Sequence, residues 1–188
     1  VLFRSNAFNQ QRCASLEEVT QTIARDLSAA AGATVAVSVV PLSARPQRHS
    51  AYPEGHCLDE LDIGIDRYQP DPGLLSAAGE EVAETLYSHL LKSNCLVTGQ
   101  PDWGTLVVRY RGPAIDREGL LRYIVSFRDH NEFHEQCVER VFCDLMARCR
   151  PCELAVWARY TRRGGLDINP FRASHAHLRA DEAMEVRQ

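Results

Sequence analysis

No apolar run in the sequence is long enough to cross a bilayer, and its start lacks the charged, hydrophobic and small-residue series of a signal peptide. The expected location is the cytoplasm, with no membrane partner. Excess charge of either sign is also missing. Lys and Arg number 21 against 25 Asp and Glu, a net charge of -4, so there is no general attraction to nucleic acid or an anionic membrane. There is no Gly-x-Gly-x-x-Gly, which excludes a dinucleotide held by a Rossmann turn, and where Gly99 and Gly104 have P-loop spacing, Thr105 stands in place of the required Lys. The seven cysteines are odd in number and scattered, unlike a secreted disulfide framework. Cys149-Arg150-Pro151-Cys152 lacks a second ligand pair at metal-site spacing and reads as two ordinary cysteines beside a turn.

What is present is a chain of 188 residues, 45% of them hydrophobic, enough for a core in one domain or two small modules. Ser15 with Glu18 three residues on forms a capping box, and Val19, Ile23 and Leu27 then recur at helical spacing up to Gly32. Residues 34–40 and 61–66 read as strands separated by a polar loop, and 69–79, with Pro70, Pro72 and Gly73, as a linker. A second unit follows in the order strand (84–92), strand (105–111), helix, helix, strand (153–161), strand (166–169). Leu106, Val108 and Tyr110 alternate with Thr105, Val107 and Arg109, the period of a half-buried strand. Asp116 caps the first of the two helices, and both carry one apolar side, so they are expected to pack on one sheet.

Between the first two strands of that unit lies Ser93-Asn94-Cys95-Leu96-Val97-Thr98-Gly99-Gln100-Pro101-Asp102-Trp103-Gly104. Its Gly and Pro residues let the chain fold back sharply, so Cys95 and Asp102 can face one small volume. A cysteine there is poorly suited to filling a core and well suited to nucleophilic attack. Asp102 reads equally as a proton carrier and as a turn residue making an Asx bond. Phe133, His134 and Glu135 open the second helix, where Glu135 could accept N–H bonds from a purine edge and Phe133 could stack. Taken alone, they read more simply as first-turn residues complementing the helix dipole. His130 and His134 are four apart, but no Glu follows the first, so a zincin motif is a weak reading. Arg162-Arg163-Gly164-Gly165 combines guanidinium groups with glycines that let a backbone approach phosphate, though an exposed basic turn is the plainer account of the arginines.

Three stretches together, the Ser93 to Gly104 segment, His130-Asn131-Glu132-Phe133-His134-Glu135-Gln136-Cys137 and Arg159 to Pro170, resemble the 7-cyano-7-deazaguanine reductases, NADPH-dependent nitrile reductases of queuosine biosynthesis, in their long, two-module form. The resemblance runs from about Asn6 to the C-terminus; Val1 is not Met and residues 1–5 depart from the pattern, so a fragment with foreign first residues is expected. It implies an α+β tunnelling fold (T-fold): an antiparallel four-stranded sheet with a helical pair inserted. On this plan residues 1–68 are the trailing half of a first T-fold module, 69–79 the linker and 80–188 the catalytic module. The implied activity is reduction of 7-cyano-7-deazaguanine to 7-aminomethyl-7-deazaguanine by two NADPH, without metal. In the implied roles Cys95 forms a thioimidate and Asp102 carries the proton. Phe133, His134 and Glu135 bind the base, and Arg163 with Gly164 contacts NADPH. A homodimer or higher homo-oligomer is implied, with no direct nucleic-acid partner. The alternatives are a zinc-dependent, GTP cyclohydrolase-like T-fold enzyme and a purine-binding T-fold module without catalysis.

Overall fold

Ser15 and Gly32 bracket the first helix as their chemistry requires. The Ser15 side chain accepts from the Glu18 N–H, the Glu18 carboxylate accepts from the Ala14 N–H at 2.8 Å, and Gly32 closes the helix in the left-handed conformation at φ 64°. This helix, α1 (Leu16–Ala31), and a 3-10 turn at Leu42–Ala44 are the regular elements of the first of two compact units, which divide after Arg48. The computed structural model describes residues 8, 10–44, 50–181 and 183–188, so the expectation about residues 1–5 lies outside the described residues.

The second unit carries the strands β1 (Ser50–Ala51), β2 (His56–Cys57), β3 (Ala77–Asn94), β4 (Pro101–Ile115), β5 (Glu153–Tyr160), β6 (Phe171–Ala173) and β7 (Met184–Glu185). Five of them form one sheet in the order β2-β3-β4-β5-β6, antiparallel throughout except for the short parallel β2. β1 and β7 pair separately and in parallel. Between β4 and β5 come α2 (Arg117–Val125), capped by Asp116 accepting from the Glu118 N–H, and α3 (His134–Cys149). α3 stops where Arg150 turns left-handed at φ 51° and Pro151 follows. The molecule is thus α+β, with both helices inserted after the long β3–β4 hairpin.

The helices cover one face of the sheet. Leu106, Val108 and Tyr110 of β4 and Leu154, Val156, Ala158 and Tyr160 of β5 point into a core with Leu120, Leu121, Ile124, Val138, Val141 and Leu145. Truncating a fully buried leucine of this kind to Ala costs about 2–5 kcal/mol. The other face is not the solvated one that the alternation predicts. Val107, Ala155 and Trp157 are all at most 1% exposed, because Leu178 and Ala180 of the C-terminal segment lie over them and Arg109 stacks on Trp157 at 5.0 Å.

Three strand expectations are corrected. Residues 34–40 and 61–66 form no strand. The alternation in the second of these runs is real, since Leu61, Ile63 and Ile65 pack on the core, but it records burial on one side without a ladder. The last sheet strand is Phe171–Ala173 instead of 166–169, because the glycines at 164 and 165, both at positive φ, turn the chain and Arg163 bridges back to Leu166. Within residues 69–79 a 3-10 turn at Pro72–Leu74 leads directly into β3, and Leu75 is buried in the core.

Candidate active site

The β3–β4 hairpin sets the site. Register pairs Asn94 with Pro101 and Ser93 with Asp102, so Cys95 is the first residue of the connecting loop and Asp102 already belongs to β4. The Cys95 N–H donates to the Gln100 carbonyl at 2.8 Å, and the Gly99 N–H donates to the Cys95 carbonyl at 2.9 Å. Closing the loop this tightly needs a left-handed residue, which Gly99 supplies at φ 66°.

Inside that turn the sulfur meets donors. The Thr98 hydroxyl contributes most, then the Thr98 and Val97 N–H groups and finally the Arg163 side chain; together they outweigh the slight burial and draw the Cys95 thiol down to about 7. The opposite happens at Cys57, Cys137, Cys143 and Cys149, whose thiols burial pushes up, in the case of Cys137 and Cys149 to about 11. Among these, Cys95 alone is prepared as a thiolate near neutral pH.

Asp102 is 3% exposed, and one oxygen, Oδ1, receives both the Arg163 Nε at 2.7 Å and the His134 Nε2 at 3.2 Å. Arg163 Nη2 also donates to the Gln100 carbonyl at 3.3 Å. Arg163 therefore ties Asp102 to the carbonyl that closes the Cys95 loop. The family resemblance assigned that arginine to the cofactor; only the return of the 162–165 turn toward the hairpin reveals the contact with Asp102.

At the opening of α3, Phe133 is the N-cap residue and 44% exposed, and Glu135 is exposed, while His134 turns inward between Asp102 and the Tyr160 ring, 4.1 Å from its centroid. The segment leading to them is anchored to the strand end before the Cys95 loop, with the Asn94 N–H donating to the His130 carbonyl at 2.8 Å and the Glu132 N–H to the Asn94 carbonyl at 3.1 Å. His130 bonds Glu132 at 2.8 Å, so His130 and His134 address different carboxylates, and the zincin reading has no support.

The arginines around the glycine turn are all engaged. Arg162 pairs with Asp167 at 2.6 Å, Arg163 with Asp102, Arg172 with Glu139 at 2.7 Å, and Arg159 donates to the Asp181 carbonyl. Their donor set suits an anionic phosphate, and Gly164 and Gly165 keep the turn free of side chains, but a phosphate must exchange with a carboxylate to be bound. Among the described residues, one group brings metal-type ligand atoms within 4.8 Å of one another: Cys57, Asp59 and His89. It lies on β2, β3 and the turn after β2, and two of its members already have partners: Asp59 takes the Ser88 hydroxyl at 2.6 Å and His89 Nδ1 meets Thr105 at 2.8 Å.

The family described as QueF-like protein matches residues 101–179. The chain is 72% identical over 183 residues to the NADPH-dependent 7-cyano-7-deazaguanine reductase of Azoarcus sp. (strain BH72), covering 97% of this chain and 65% of that one. It is 56% identical over 185 residues to the reductase of the same name from Cupriavidus necator (strain ATCC 17699 / DSM 428 / KCTC 22496 / NCIMB 10442 / H16 / Stanier 337), covering 97% and 67%. A solved structure, the archaeosine synthase QueF-Like in the apo form, is similar at a TM-score of 0.45 and 16% identity, over 52% of this chain and 95% of that chain. The chain spans 65% of the length of its relatives from Azoarcus and Aromatoleum. With identity this high across 97% of its own length and 67% of the Cupriavidus protein, the chain belongs to the family of NADPH-dependent 7-cyano-7-deazaguanine reductases.

Proposed function

We propose that the protein reduces the nitrile of 7-cyano-7-deazaguanine to the aminomethyl group, using two NADPH, with Cys95 as nucleophile. The observation that carries this reading is the loop around Cys95, which holds the thiol at about 7 beside a buried carboxylate. A nitrile carbon is a weak electrophile that a soft thiolate can attack. The Cys95 sulfur bonds to that carbon while one C–N π bond opens, and the nitrogen takes a proton, giving a neutral thioimidate. Asp102 moves that proton from thiol to nitrogen, and its contacts with Arg163 and His134 fix the carboxylate where it can do so. NADPH, when bound, would supply the two hydrides; Cys95 leaves as a thiolate between the two additions, and water supplies the protons that complete the amine and restore the thiol. The residues that would hold NADPH are Arg163 and Gly164, with Arg162 nearby.

Phe133 and Glu135, exposed at the start of α3, offer a face for stacking and a carboxylate for the N–H edge of the base, and His134 joins them through Asp102. The fold we infer is the tunnelling fold, with 80–188 as its catalytic module, 69–79 as linker and 1–68 as the trailing half of a first module; the antiparallel β3–β4 and β5–β6 pairs flanking two helices support it. Leu96, Val97, Trp103 and Phe133, exposed on or beside the catalytic hairpin, suit a homodimer or higher homo-oligomer in the cytoplasm. No helix among the described residues is long and apolar enough to cross a membrane.

Intact mass spectrometry tests the chemistry. Mixing the chain with 7-cyano-7-deazaguanine and no NADPH should add the full mass of the substrate, and Cys95→Ala should abolish the addition. An adduct that survives Cys95→Ala sinks the proposal.

A further inference from the structure

We propose that Arg163 is a positioning residue for the nucleophile, whose guanidinium clamps Cys95 and Asp102 together, and that a bound cofactor phosphate competes for this same group. The second half rests on the function proposed above; the first does not.

The clamp is read from contacts. Nε forms an ion pair with Asp102 Oδ1 at 2.7 Å, Nη2 donates to the Gln100 carbonyl at 3.3 Å, and the guanidinium makes a small contribution to lowering the Cys95 thiol. The Gln100 carbonyl is also the acceptor of the Cys95 N–H, so Arg163 grips the loop at both ends. Only 22% of its side chain is exposed. The groups facing this center are few. Asp102 comes from β4, Arg163 from the turn after β5, and His134 from α3, its ring on Asp102; Cys137 of α3 and Tyr160 of β5 lie beneath. No second arginine of the turn is ready to replace Arg163, since Arg162 is held by Asp167.

A thiolate and a carboxylate sharing one cation repel each other once it is gone, so losing the guanidinium penalises the sulfur anion twice. A phosphate prefers the two-pronged edge of a guanidinium, and Arg163 already directs Nε to Asp102 and Nη2 to Gln100. Phosphate binding must loosen part of the clamp. Cofactor affinity and Cys95 ionisation are then linked, each altering the other by the same factor.

The test follows Cys95 carboxamidomethylation by iodoacetamide from about pH 5.5 to 9.5, read by peptide mass mapping on the 188-residue chain, with Arg163→Gln and Arg163→Lys alongside. NADP+ is the probe, because it carries the phosphates without a hydride. Arg163→Gln should raise the midpoint by about half a pH unit, cutting the rate at pH 6 about threefold while leaving the high-pH plateau within about twofold. Arg163→Lys should recover part of the shift. NADP+ should raise the wild-type midpoint and leave that of Arg163→Gln where it was. An unchanged midpoint in Arg163→Gln overturns the clamp. NADP+ that binds the wild-type chain, as followed by tryptophan fluorescence, without moving its midpoint overturns the competition. If NADP+ does not bind at all, the cofactor reading and the competition fall together, and the Arg163→Gln midpoint still decides the clamp.

Discussion

A thiol attacks at neutral pH only where something stabilises its anion, and at Cys95 most of that stabilisation comes from Val97 and Thr98 of its own loop. The proton partner proposed for it has a different origin. Asp102 is buried and fixed by groups from α3 and from the turn after β5, so replacing it with Asn keeps the shape but removes the ability to carry a proton. Asp102→Asn should therefore slow adduct formation with the cyano substrate by about 10²-fold or more while base binding, measured calorimetrically, stays within about twofold. A loss of binding as large as the loss of rate would show that Asp102 only supports the turn. Cys95 and Asp102 could be singled out in the sequence because the hairpin makes them near neighbours along the chain. Arg163 could not be placed, since a contact between β4 and a distant glycine turn leaves no local pattern, and an arginine before two glycines looks solvent-facing. The inward turn of His134 was hidden for the same reason: a first-turn histidine reads as solvated until the sheet beneath it is known.

The catalytic hairpin also shows what a single backbone conformation contributes. Gly99 sits at φ 66° with nothing within 4 Å of where a Cβ would be, so the penalty for a side chain there is conformational and not steric. Gly99→Ala should destabilise the chain by about 1 kcal/mol in urea unfolding and raise the pH midpoint of Cys95 alkylation as the turn opens. Gly99→Asn should recover most of both, because asparagine tolerates the left-handed region; equal losses in the two variants would mean that the loop depends on something other than this torsion. Most other elements were equally legible. The capping box of α1, the Asp116 cap of α2, the α3 stop and the hairpin pair all follow from short-range rules. Residues 34–40 and 61–66 were misread because β-branched or alternating composition says that a segment suits a sheet, not that a neighbouring strand exists to receive it.

Across the whole molecule, the C-terminal segment seals the second face of the sheet and does so with a buried acid. Glu185 of β7 is 6% exposed, and desolvation, reinforced by Asp181 and opposed by Arg159 and Arg187, raises its carboxyl to about 7. The folded chain keeps that proton between the ordinary glutamate value of 4.5 and about 7, where the unfolded chain has released it, so this group makes stability fall as pH rises through the interval. Glu185→Gln should leave the unfolding midpoint at pH 4.5 nearly unchanged and raise it at pH 8. The same gain at both pH values would assign the effect to packing instead. The opposite end of the sheet holds a different lesson. The donors that make Cys95 acidic lie mostly within three positions of it, whereas the residues proposed to select the base come from the start of α3. Reactivity here is portable and selectivity is not. Grafted onto the tip of an unrelated hairpin, the run from Cys95 to Gln100 would carry its acidic sulfur along and attack soft electrophiles indiscriminately, so the large remainder of the molecule is best regarded as the apparatus of refusal.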